Sequence, residues 1–185
     1  MRYPPLFPLA RTALVCLATL TLAAAAQAAG DKSAYESAKA SAKSTYETAS
    51  KQCDAMNGNA KDVCVAEAKA ARVKTEEDAE AAYKNTPKAR AHAVHEIAEA
   101  NYKVAKERCD ARTGNDKDVC IKVAKAELTR AEADAKATRK TADARNDAAK
   151  DKREAEYNVA AQKCDAMNGD AKSACVKDAK AKYGM

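Results

Sequence analysis

The chain has no tryptophan and one phenylalanine, Phe7. Its prolines are Pro4, Pro5, Pro8 and Pro87, so only one lies beyond residue 8. Large apolar residues are as scarce. Beyond residue 28 they are nine valines, Ile97, Ile121, Leu128 and the methionines Met56, Met167 and Met185. That inventory excludes an ordinary globular core, and with it the apolar pocket that most enzymes and small-molecule binders enclose. So little apolar material with so much charge is the usual composition of a disordered chain. Two features oppose disorder. About a quarter of residues 29–185 are alanine, the best helix former. Glycine is nearly missing too, and three of the five glycines recur at one place in a repeated motif.

What is present begins with a leader. Met1–Arg2 and Arg11 precede the run "TALVCLATLTLAAAA" and the small residues "AQAAG". This is the pattern of a secretory signal peptide, with cleavage expected after Ala28 or, nearly as well, after Ala29. The run is too short for a comfortable membrane span, so no transmembrane span is expected after processing. Val15 stands before Cys16 where a lipoprotein signal needs a small residue, so lipidation is not expected. Removing residues 1–28 takes Cys16, Arg2 and Arg11, leaving six cysteines and 31 basic against 27 acidic side chains. An even cysteine number in an exported chain favours disulfides.

The cysteines fall in three similar stretches: "CDAMNGNAKDVC" (53–64), "CDARTGNDKDVC" (109–120) and "CDAMNGDAKSAC" (164–175). A tyrosine stands seven residues before each first cysteine, at Tyr46, Tyr102 and Tyr157. First cysteines are 56 and then 55 residues apart, a period that marks a repeated supersecondary unit. Each stretch carries one glycine, at Gly58, Gly114 and Gly169, followed by Asn59, Asn115 or Asp170. Glycine suits the left-handed position past a helix end, and Asn or Asp suits the N-cap of the next helix. The pattern therefore predicts helix, stop, start, helix. The two cysteines lie five residues before and six after the glycine, roughly 7–9 Å from the turn on antiparallel helices. Small neighbours such as Ala49, Ala60 and Ala68 let facing positions come within disulfide reach. The expected bonds are Cys53–Cys64, Cys109–Cys120 and Cys164–Cys175. One continuous helix through each motif, with bonds joining different segments, is the rival, and the central glycine speaks against it.

A further break is expected at "NTPKAR" (85–90), where Thr86 can cap a helix and Pro87 suits its first position. The aligned "KTADAR" (140–145) has Ala142 in place of the proline, so a turn near Thr141 is open. Without it, 115–168 forms one helix of roughly 80 Å. Tyr46, Ala49, Cys53 and Met56 make a narrow apolar stripe of coiled-coil width. The fold class is all-α: three disulfide-stapled antiparallel hairpins in an extended or up-and-down array, with all staples expected at one end. The hairpins span 29–84, 85–140 and, shortened, 141–185.

Chemistry has few candidates. Redox cysteines usually have two residues between them, not ten, so the thiols read as structural. Counted as a calcium loop from Asp54, "DAMNGN" places Met56 at the third position, Gly58 at the fifth and Val65 at the twelfth, and the match fails. His92 and His95 share a helical face, with Glu96 beside them, and form a weak candidate metal pair. Solvated surface histidines are the simpler reading, and no cofactor is expected. Lysines and acids interleave, so no nucleic acid is expected, and the run 75–80 is solvated helix. No nucleophile–base pair is recognisable.

The "C-D-x-x-x-G-N-A-K-D-V-C" units and the "NTPKAR" segment resemble those of small, exported, alanine/lysine-rich proteins of Gram-negative bacteria, often labelled cell-envelope proteins like the helical stalk of the Tol system. The third unit departs at Asp170, Ser173 and Ala174. The resemblance implies secretion and points to no known activity. The functional expectation is a non-enzymatic periplasmic structural or interaction protein of the cell envelope, linked to stress. Its expected partners are envelope proteins or anionic cell-surface polymers. A chaperone-like or sequestering protein, and a metal binder using His92 and His95, are the alternatives.

Overall fold

A computed structural model describes residues 30–185. The expected leader, 1–28, lies outside them. Five helices follow in order: α1 (Lys32–Cys53), α2 (Gly58–Lys84), α3 (Pro87–Cys109), α4 (Gly114–Cys164) and α5 (Gly169–Tyr183). There is no strand among the described residues, and each helix packs only against its neighbours in sequence. The chain is thus an all-α, single-layered array, with no helix enclosed on all sides. The buried set matches. Among the described residues, seven of its twelve members are alanine and three are cysteine, leaving Val104 and Leu128 as its only larger aliphatic side chains. One small cluster, Ala70, Ala100 and Val104 with Ala66 and Val73 beside it, forms the α2–α3 seam.

Three disulfides clamp the array as the spacing predicts: Cys53–Cys64, Cys109–Cys120 and Cys164–Cys175, each with Cα atoms 5.7 Å apart. The turns they close follow one backbone path. Asn57, Thr113 and Asn168 are extended, with φ of −134°, −131° and −128°. The following Gly58, Gly114 and Gly169 have φ of +58°, +55° and +59°. Open space surrounds all three glycines, so a side chain there would be opposed by the left-handed backbone alone.

The helix starts differ from expectation by two residues. A hydrogen-bonded turn continues past each first cysteine, with Met56 N donating to Cys53 O at 3.0 Å in the first unit. The reversal therefore falls at the extended residue and the glycine. Glycine opens the second helix and does not close the first. Asn59, Asn115 and Asp170 lie inside the second helices and are not N-caps. Met56 correspondingly leaves the apolar stripe and is exposed.

The break at 85–87 forms as expected. Asn85 adopts the left-handed conformation at φ 45°, the Thr86 hydroxyl accepts from Ala89 N at 3.0 Å, and Pro87 opens α3. Thr86→Ala is expected to cost about 1 kcal/mol, read from the shift in a urea midpoint. No turn forms near 141. Lys140 has none of the left-handed tolerance of Asn85, and Ala142 keeps the N–H that Pro87 lacks. The Thr141 hydroxyl instead donates back to Ala137 O at 3.0 Å within the helix. α4 is consequently one helix of 51 residues, about 76 Å long. This overturns the expectation of three staples at one end. The first two sit at the shared end of α1–α4, and the third is carried to the far end of α4.

Candidate functional site

Each disulfide turn holds the same ion pair. The aspartate after the first cysteine meets a lysine three residues before the second: Asp54–Lys61 at 3.0 Å, Asp110–Lys117 at 2.8 Å and Asp165–Lys172 at 2.9 Å. An aspartate at a helix C-terminus faces the negative end of the helix dipole, and the lysine offsets it. Hydrogen bonding and attraction to Asp110 raise the Lys117 pKa above its ordinary value. The pairing is visible in the sequence, since Asp and Lys keep a spacing of seven in all three units, but it is a brace and not a calcium loop.

Asn59 has a longer-range task. Its side-chain N–H donates to Glu107 O at 2.7 Å, capping a last-turn carbonyl of α3 from the start of α2. Arg108 pairs with Glu67 across the same seam at 2.6 Å. Together these lock the first hairpin to the second. Asn59→Ala is expected to lower stability by about 1 kcal/mol. An unchanged midpoint in chemical-denaturation curves would contradict the lock.

Beside it, α1, α2 and α3 border an open groove of about 590 Å³. Its floor is Val65, Ala66, Ala70, Val73 and Ala100, and its rim carries Lys61, Lys69, Arg72 and Lys103 against Asp62 and Glu107. Tyr46 stands in its wall with the Arg72 guanidinium 5.4 Å from the ring centre. The three repeated tyrosines are all half-buried beside their helix partners, as packing residues are.

Both histidines approach Glu96 of their own helix, His95 with its Nε2 at 4.0 Å. His92 Nδ1 lies 3.8 Å from Glu96 on its own helix. His95 Nδ1 reaches across to Glu132 of α4 at 3.1 Å. His95, Glu99 and Glu132 form a three-residue group whose ligand atoms lie within 4.8 Å of one another. Glu99, four residues after His95 on the same helix, was legible in the sequence spacing, whereas Glu132 is brought in only by the α3–α4 packing. One imidazole and two carboxylates suit a borderline divalent cation such as zinc.

Glu77, on α2 facing the same region, has its pKa raised mainly by partial burial, with Glu80 and Glu96 adding repulsion and His92 opposing them. A carboxyl raised in the folded state contributes stability below its unfolded pKa that is lost as pH rises through the folded value. Glu77→Gln is therefore expected to reduce the loss of stability on going from acid to neutral pH, measured by thermal melts across that range.

The chain matches no protein-family model, no curated protein and no solved structure. No described helix is long and apolar enough to cross a membrane. Three disulfides fit an oxidising compartment.

Proposed function

We propose that this protein is a non-enzymatic structural or interaction protein of the cell envelope, exported to the periplasm and linked to envelope stress, where it acts as a spacer or scaffold. The observation that carries this reading is α4. It holds a two-hairpin stapled block at one end and a third stapled hairpin at the other, their staples at Cys120 and Cys164 about 66 Å apart along one continuous helix. Covalently closed ends joined by a long alanine-rich rod are what a spacer needs, and the sulfur bonds suit an oxidising compartment. The exposed charged faces and the basic groove rim fit contacts with envelope proteins or anionic surface polymers.

Cell fractionation with non-reducing peptide mapping tests the placement: the reading expects all three bonds intact in the periplasmic fraction. Photo-crosslinking from Met167, exposed in the far turn, tests the role. Discrete products with envelope components are expected, and their absence would remove the scaffold.

The groove bordered by α1–α3 favours a second reading, a chaperone-like or sequestering protein that holds apolar segments on its alanine floor. An aggregation-suppression assay with a heat-unfolded client separates the two. A spacer leaves aggregation unchanged, whereas suppression at equimolar protein, lost in Val73→Glu, replaces the first reading with the second. The His95–Glu99–Glu132 group supports metal binding as a third. Zinc calorimetry that is lost in His95→Ala and kept in His92→Ala would establish it, and no heat with the unaltered chain would remove it.

A further inference from the structure

One face of α4 is bare along its whole length. α3 covers Ala124 and Leu128, and α5 covers Cys164, all on one side of the helix. The opposite side presents Ala133, Ala137, Ala144, Ala148, Ala155 and Val159, every one exposed. Their spacing alternates four and seven residues, an eleven-residue period that keeps a stripe nearly straight along an α-helix.

The chain itself contains the contact this stripe is built for. In the α2–α3 seam, Ala70 packs with Ala100 and Val104. Aligning the cysteine units places Ala126 where α2 has Ala70, and Ala155 and Val159 where α3 has Ala100 and Val104. In the seam those side chains are buried; on α4 all three counterparts are exposed, Val159 at 58%. Both halves of the contact are thus present on α4. The unbroken helix holds Ala126 and Ala155 about 44 Å apart, so one chain cannot bring them together.

We propose that a second copy of this chain covers the stripe, two α4 helices lying antiparallel about a two-fold axis between Lys140 and Thr141, as a domain-swapped dimer. The register follows from the seam. With Ala126 level with Ala155 of the second copy, Ala133 meets Ala148 and Ala137 meets Ala144, each twice by symmetry. The stripe is therefore self-complementary about its own centre. Two further observations, independent of the alanines, agree with this register. Arg130 comes level with Asp151 of the second copy; both are exposed and neither has an ion pair among the described residues. Asn115 reaches the position of Gln162, the counterpart of the Glu107 carbonyl that Asn59 caps. Lys122 lies level with Val159, where its stem can cover the valine while the ammonium stays in water. In this dimer each six-helix half regains the arrangement with three staples at one end.

Light scattering on the chain purified with its disulfides intact tests this. A mass twice that of the single chain is expected at micromolar concentration. Arg130→Asp or Asp151→Arg alone sets like charges together and is expected to raise the dissociation constant at least tenfold, and the double exchange to restore it. Ala137→Glu/Ala144→Glu is expected to give a monomer with unchanged helicity, since both sites are exposed. Lys140→Asn/Ala142→Pro rebuilds the break of 85–87 and is expected to give a closed monomer in which Val159 is covered. A single-chain mass for the unaltered protein at all concentrations overturns the proposal. So does a dimer indifferent to the paired glutamates.

Discussion

Reducing the three disulfides is expected to abolish cooperative thermal unfolding and most of the far-ultraviolet helical signal at 37 °C. Among the described residues the largest fully buried side chains are Cys53, Cys109 and Cys164, at 0%, 1% and 1% exposure, and not aliphatic ones. Around them the packing is alanine on alanine, which removes little apolar area from water per residue. In the loop-entropy model each twelve-residue closure stabilises by about 3 kcal/mol, and three such closures approach the whole stability of a typical small domain. The bridges should not be equal. Cys109–Cys120 sits between α3 and α4 and holds the seam that joins the stapled block to the rod, so Cys109→Ser/Cys120→Ser is expected to be the most damaging single removal. Cys164–Cys175 closes only the short α5, and its loss should release that helix while α1–α4 remain folded. Circular dichroism melts of the oxidised, reduced and singly opened proteins read all of this. A reduced protein that melts at the oxidised temperature would show that the alanine seams alone suffice.

Truncating Leu128 carries the second large effect. It is 2% exposed in the α3–α4 seam and is the only leucine beyond residue 28. A single-layered array has no second layer to collapse into the space left behind, so Leu128→Ala is expected to cost about 2–4 kcal/mol. Val123, five residues earlier on the same helix, is 54% exposed, and Val123→Ala should stay within about 0.5 kcal/mol. Urea titration of the two variants decides it, and similar small losses for both would mean that the α3–α4 seam contributes little. Should the chain dimerise through α4, both measurements belong at one fixed protein concentration, because association adds to apparent stability.

Particular residues mark the limit of what was legible. The eleven-residue cysteine spacing around a glycine was sufficient to pair the bonds correctly, since the partners are close in sequence and two antiparallel helices leave them no other neighbours. Thr86 and Pro87 announced the α2–α3 break for the same local reason. The cap assignment of Asn59 failed because the helix opens two residues earlier, after an extended Asn57, and the acceptor Asn59 does meet, Glu107 O, is 48 residues away. His95 was noticed, yet its partner Glu132 lies on the following helix, beyond a disulfide turn, and no periodicity links them.

Sequence by itself determined the all-helical state, the three hairpin turns and the sulfur pairing, because helix propensity, glycine's left-handed freedom and short loop closure act within about a dozen residues. Only the tertiary structure decided that 114–164 is one rod, that the third staple lies at its far end, and which face of that rod is left uncovered. Those outcomes rest on a small local balance at Lys140–Thr141–Ala142 and on which distant side chains the packing then brings together.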